Sequence, residues 1–102
     1  GNIAFYSYDG GWSESMRITN TGNVGIGTAS PSGLLHVKGD TNSNGAEIYL
    51  QVNNNNTTDN LGAIHFGNNI DSTLSEILSQ TSGANNSSSL IFSISFSRRK
   101  WW

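Results

Sequence analysis

Apolar residues along the chain recur mostly at every second position, in short runs separated by Gly, Asn, Asp and Ser. That is the period of a pleated strand, which presents alternate side chains to opposite faces. The chain therefore reads as all-β. The cleanest run is Leu90, Phe92, Ile94 and Phe96, alternating with Ser89, Ser93, Ser95 and Ser97 and broken only by Ile91; it predicts one buried and one wet face. Ile48, Leu50 and Val52 read as inward positions of a second such strand, opposite Glu47, Tyr49 and Gln51. Ile64 and Phe66 form a shorter run. Near the start, Ile3 and Phe5 share one face and Ala4 and Tyr6 the other. Met16 and Ile18 begin the next strand, and Gly10 and Gly11 after Asp9 supply the turn between them.

Two stretches, Asn53 to Asn60 and Gly83 to Ser88, are almost wholly polar and predict exposed loops or hairpin tips, since Asn and Gly tolerate the left-handed backbone of tight turns. Leu74, Ile77 and Leu78 sit at helical spacing, but their Ser, Thr and β-branched neighbours favour a strand over Ser72 to Gln80. An internal echo links Asn2-Ile3-Ala4-Phe5-Tyr6-Ser7 with Ser89-Leu90-Ile91-Phe92-Ser93-Ile94, and more weakly with Gly62-Ala63-Ile64-His65-Phe66-Gly67. It is the mark either of a fibre period or of coincidence among aromatic strands.

Composition turns this pattern toward assembly. The chain has 102 residues, a single-domain length, yet only 34% are hydrophobic, below the usual apolar share of a self-contained globule. Disorder does not account for the shortage: charged residues make up 12%, the net charge is −2, and there are three Trp, three Tyr and four Phe. A core shared with copies of the chain accounts for it better, and closed symmetric assembly is the usual way identical chains share one. Cysteine is absent, which excludes disulfides and thiolate metal sites. No apolar run approaches the ~18 residues of a membrane span and no charged start precedes an apolar signal segment. The chain opens on Gly1, so a processed product or an excerpt of a longer polypeptide is compatible with it.

Residues Met16 to Val37 carry the one motif, Met-Arg-Ile-Thr-Asn-Thr-Gly-Asn-Val-Gly-Ile-Gly-Thr-Ala-Ser-Pro-Ser-Gly-Leu-Leu-His-Val. Thr21-Gly22-Asn23 predicts a tight turn that lets Ile18 end one strand and Val24 begin the next. Val24 and Ile26 point to one side, while Gly25 and Gly27 leave the other side bare and permit close approach of another backbone. Pro31 lacks an amide hydrogen and ends the ladder before Leu34 or Leu35 starts another strand. The segment resembles one found in phage tail fibre and tailspike-like proteins, often upstream of an intramolecular chaperone domain. The residues that carry the likeness are Met16, Ile18, Gly22, Asn23, Val24, Gly25, Ile26, Gly27, Pro31, His36 and Val37. The resemblance implies a homotrimeric, intertwined, elongated fibre unit spanning residues 1–102, displayed on a virion tail or other extracellular surface beside further virion or fibre proteins. No chaperone or self-cleaving peptidase domain follows within the 102 residues, so the functions of that domain are not carried over.

Candidate chemistry is sparse. Gly22, Gly25 and Gly27 have the spacing Gly-x-x-Gly-x-Gly, the reverse of a dinucleotide fingerprint, with no helix after them to hold a phosphate. His36 and His65 are the only histidines and the seven carboxylates are scattered; three copies of one histidine on a trimer axis is the single route to a metal site, and a solvent-facing histidine the plainer reading. Glu14, Glu47 and Glu76 are glycosidase carboxylates by type only, and no Ser-His-Asp arrangement follows from the pattern. The sequence thus predicts no enzyme, no cofactor and no nucleic-acid partner. Arg98-Arg99-Lys100-Trp101-Trp102 mixes cations and aromatics, a combination that can grip nucleic acid, stack on sugars or sit at a membrane surface, but five residues establish none of these and the stretch reads as a strand end that docks on a neighbouring subunit or is cut short. Tyr6, Tyr8 and Trp12 flank the first turn and suit either contact with a host-surface glycan or burial against another chain. Sequons at Asn55, Asn56, Asn85 and Asn86 matter only in a glycosylating host.

The expectation is a structural fibre component that aids host attachment. Its rivals are a capsid decoration protein, a bacterial extracellular filament or adhesin subunit, and a carbohydrate-binding or carbohydrate-cleaving module.

Overall fold

The computed structural model describes residues 1–40, 44–55, 57–84 and 86–95. Among these there is no helix, and seven strands make two sheets: β1 Ile3–Tyr8, β2 Trp12–Ile18, β3 Val24–Ile26 and β4 Leu35–Val37 in the first, β5 Asn60–Phe66, β6 Ser75–Thr81 and β7 Ser88–Ile94 in the second. Each sheet keeps the order of its strands in the sequence. The chain divides into two compact units, Gly1–Ile48 and Tyr49–Trp102, each built on one sheet.

In the first unit the β1–β2 hairpin turns at Asp9-Gly10-Gly11, with Gly10 at φ 71°; an L side chain would be strained there. β2 starts at Trp12, four residues ahead of the Met16 start read from the alternation, because β1 continues to Tyr8 and Trp12 pairs with it. The predicted Thr21-Gly22-Asn23 turn is present: Gly22, at φ 85°, donates its amide to the Thr19 carbonyl at 2.9 Å, and the Thr19 amide to the Asn23 carbonyl at 2.9 Å.

The register sorts this sheet by face, since residues directly opposite one another share a side. Ile3 and Phe5 lie over Ile18 and Met16, which lie over Val24 and Ile26, which lie over Leu35 and Val37. One side is therefore wholly apolar in its described strand positions apart from serines. The other side carries Ala4, Tyr6, Tyr8, Trp12, Glu14, Arg17 and His36.

One pair departs from the antiparallel expectation: β3 and β4 run parallel. Parallel neighbours usually need a crossover of a dozen residues or more, and here residues 27–34 suffice. A Cβ on Gly25 would stand 2.2 Å from the Thr28 carbonyl oxygen, and one on Gly27 2.2 Å from that of Lys38. The bare positions read from the sequence do admit a close backbone, and it is the chain's own: Thr28 in the connection and Lys38 just past β4.

In the second unit the strand expected over Ser72 to Gln80 is present as Ser75–Thr81, with residues 72–74 in the turn before it: β6 is the central strand, and its Leu78 is the one buried apolar side chain among the described residues. Two expectations are corrected. Ile48, Leu50 and Val52 form no strand; Ile48 and Leu50 are exposed, and Leu50 lies against Gly62, where a Cβ would meet its own at 2.7 Å. The face of Leu90, Phe92 and Ile94 is not the covered one within the chain. Phe92 is 72% exposed, and Ile91, the break in the alternation, lies opposite buried Leu78. Phe96 lies outside the described residues, as do Asn56, Asn85 and Arg98 to Trp102.

Each copy of the internal echo falls on an edge strand: β1 in the first sheet, β5 and β7 in the second. These strands pair on one side only, and their repeated aromatic alternation stands at the margins of the sheets.

Candidate functional site

The resolved features of the first unit are a crossover and an aromatic face. The crossover is built from the motif residues. The Val24 amide donates to the Leu34 carbonyl at 2.8 Å, the Gly27 amide to Ser15 at 3.0 Å and the Lys38 amide to Ile26 at 2.9 Å. Pro31 lies inside the loop, half-buried, and His36 sits opposite Gly25, where its Nδ1 accepts the Ser32 amide at 3.2 Å. Met16, Ile18, Val24, Ile26 and Val37 share the apolar face, whereas Gly25 and His36 lie on the other. The motif's glycines, proline and histidine thus define a compact turn of backbone rather than a reactive centre. His36 works here as a hydrogen-bond acceptor for the loop.

Alternation along β1 places Tyr6 and Tyr8 on one side, and the hairpin register adds Trp12 opposite Tyr8. The Tyr8 and Trp12 rings lie 5.2 Å apart, tilted by 59°, in the range of edge-on aromatic pairing. All three are exposed, Trp12 by 74%. Beside them, Arg17 grips Glu14 with two bonds, Nε to Oε1 at 2.8 Å and a terminal nitrogen to Oε2 at 2.5 Å, and the Tyr6 hydroxyl donates to Oε2 at 3.4 Å. The Arg17 hydrogen bond holds the Glu14 carboxyl below its usual range, against a smaller opposing effect of burial, and Glu14 in turn raises Arg17. A glycosidase acid needs the reverse, a carboxyl raised toward neutrality, so Glu14 is set up as a fixed acceptor and not as a proton donor.

Nothing in the residue pattern marks this ion pair, because residues three apart along a regular strand lie on opposite faces. A second polar row was equally hidden. His65, Glu76 and Ser93 lie side by side across the second sheet; His65 Nδ1 is 3.2 Å from Glu76 Oε2, and the Ser93 hydroxyl donates to Oε1 at 3.1 Å. The acid stands between the serine and the histidine, which is not the Ser-His-Asp order of a catalytic triad. Among the described residues no three or more His, Asp or Glu side chains gather as a metal site would require, and no helix is long and apolar enough to cross a membrane.

No family model, curated protein or solved structure matches the chain.

Proposed function

We propose that this chain is a structural unit of a phage tail fibre or a similar surface fibre, non-enzymatic, that completes its core by associating with copies of itself. The observation that supports the reading is the missing private core. Leu78 is the one buried apolar side chain among the described residues, while Ile3, Phe5, Ile26, Leu35, Ile64, Phe66, Leu90, Phe92 and Ile94 are exposed on their strands. Apolar strand positions left open in such number are what an assembling subunit carries and a solitary one avoids.

Homotrimeric association is the form that the Met16 to Val37 resemblance favours. Light scattering is the test: the reading expects a mass that is a multiple of one chain, three for the trimer. A single-chain mass together with a folded β spectrum contradicts it. Density on a capsid face, or in a long homopolymer, in electron micrographs of the native particle would favour a decoration protein or a bacterial filament instead.

Attachment to a host glycan is a second role, favoured by the aromatic face. Tyr6, Tyr8 and Trp12 offer flat apolar rings next to a fixed carboxylate, and a pyranose offers apolar CH faces edged with hydroxyls. Binding without turnover is the expected outcome with a host polysaccharide.

A further inference from the structure

His36 and His65 are the only histidines, and histidine is the side chain whose ordinary charge change falls between about pH 5 and 8. Each lies in a row of three residues across its sheet, and the two rows differ in the sign of their charge. We propose that acidification through this range loosens the β3–β4 crossover of the first unit and tightens the β5–β6 pairing of the second.

In the first row His36 lies opposite Gly25, and Gly25 opposite Arg17. The His36 Nδ1 accepts the Ser32 amide at 3.2 Å. Only the neutral ring can do this, since both nitrogens of the cation are donors. Protonation therefore removes the acceptor and turns an N–H toward the Ser32 N–H. The charges around the ring offer the cation no exchange. Gly25 has no side chain, Arg17 on β2 is itself a cation already bonded to Glu14, and residues 27–34 contain no titratable group. Past β4 come Lys38, a second cation, and then Asp40. The bond's contribution is thus present above the histidine range and lost below it. What it ties down is the connection that makes β3 and β4 parallel neighbours.

In the second row His65 lies opposite Glu76, and Glu76 opposite Ser93. His65 Nδ1 is 3.2 Å from Glu76 Oε2, and the Ser93 hydroxyl donates to Oε1 at 3.1 Å. The adjoining row on that side is Ala63, Leu78 and Ile91, so Glu76 is the charged group that faces the ring from the described strands. A neutral His65 gives Glu76 an ordinary hydrogen bond, and a protonated one gives a charge-assisted bond roughly twice as strong. This contribution grows as the pH falls through the histidine range. The contact is solvent-accessible, so salt weakens it.

The test is amide hydrogen exchange of the full chain, resolved by NMR at about pH 5.5 and about pH 7.5, a window within the histidine range and above the ordinary carboxylate range. Exchange is expressed as protection relative to an unstructured chain, which removes the intrinsic pH dependence of the exchange reaction. On acidification, protection at Ser32 and through β3 and β4 should fall by roughly two- to ten-fold, the scale of one hydrogen bond. Through β5 and β6 it should rise by about two-fold, and high salt should diminish this rise. His36→Asn, whose Oδ1 accepts a bond without titrating, should abolish the fall and keep the rise. His65→Gln should abolish the rise and keep the fall. Circular dichroism checks that both variants fold, and if either does not, the contrast between the two units of the wild type decides. Protection that moves in the same direction in both units, that does not move, or that moves unchanged in both variants overturns the proposal.

Discussion

Glu14 and Arg17 stand three residues apart in one strand, yet their side chains meet on the same face of the sheet. The reason lies between them. Phe5 pairs with Met16 and the next residue, Tyr6, with Glu14, so Ser15 is an extra residue in β2, a bulge that resets the alternation. Ser15 fills its place with a 2.9 Å bond to the Ser7 hydroxyl and by accepting the Gly27 amide at 3.0 Å. Without the reset, either Glu14 or Arg17 would project into the apolar side. The bulge thereby keeps that side free of charge and gives the carboxylate a partner.

The pair makes stability depend on acidity with a definite sign. Glu14 titrates lower in the folded chain than its ordinary value, mainly because Arg17 bonds to its charged form. The pair's contribution is therefore present above the unfolded value of about 4.3 and is lost as the pH falls through the lower folded value. Urea midpoints of wild type and Glu14→Gln should differ at pH 7, converge on acidification through that window, and lie closer together in high salt, since the pair is solvent-accessible. A gap that persists at low pH would mean that Glu14 acts through something other than its charge.

The motif glycines should respond unequally to a methyl group. A Cβ on Gly25 or Gly27 would stand 2.2 Å from a backbone oxygen, which no side-chain rotation relieves, whereas Gly22 has open space around it and only its φ of 85° to oppose a side chain. Gly22→Ala should cost about 1–2 kcal/mol. Gly25→Ala should reach or exceed the 1–3 kcal/mol typical of overpacking, and Gly27→Ala adds positive-φ strain to its clash. Denaturant midpoints measured at one protein concentration check the ranking. Because the crowding is within the chain, Gly25→Ala should weaken the fold of the first unit and not merely its association.

Turn chemistry was legible in the sequence because it is local. Gly22 after Thr21 and Gly10 after Asp9 mark their turns whatever the rest of the chain does, and the Ser, Thr and β-branched residues around Ile77 and Leu78 favoured the strand of β6 against a competing helical spacing. Tyr6 and Tyr8 could be placed on one side by counting, although Trp12 joins them only through the hairpin register. What escaped depends on partners distant in sequence. Ile48, Leu50 and Val52 alternate like a strand but join neither sheet, and Leu50 instead lies against Gly62. The parallel β3–β4 pair needs Thr28 and Lys38 to fold back over glycines, and the Ser15 bulge shows in no residue type. The alternation in β7 correctly identified an apolar side, but a count of periods cannot say what covers it.

Trp12→Ala should separate adhesion from assembly. Its ring pairs with Tyr8, so its removal should cost the hairpin about 0.5–1.5 kcal/mol and, with the three rings serving as a receptor face and not as a subunit contact, leave the light-scattering mass unchanged. Adsorption of the assembled protein to host cells or purified surface polysaccharide should fall by an order of magnitude or more if this face binds sugar. Unchanged adsorption would move the receptor site elsewhere or remove it from the protein.

Leu78 and Phe92 provide the sharpest contrast between a private and a shared core. Leu78 is 9% exposed, buried within its own chain, so Leu78→Ala should cost about 2–5 kcal/mol at any protein concentration. Phe92 stands over Ile77 at the rim of a shallow hollow formed with Phe66 and Ile94. In a solitary chain its truncation is a surface change worth about 0.5 kcal/mol or less. Covered by a neighbour, the same truncation approaches the about 3–5 kcal/mol of a buried phenylalanine. Unfolding midpoints of wild type and Phe92→Ala, followed over a hundred-fold range of protein concentration, should therefore diverge as concentration rises, because mass action stabilises only chains that retain the contact. Parallel curves would show that nothing in solution covers Phe92 and that the exposed side of the second sheet is not part of the assembly.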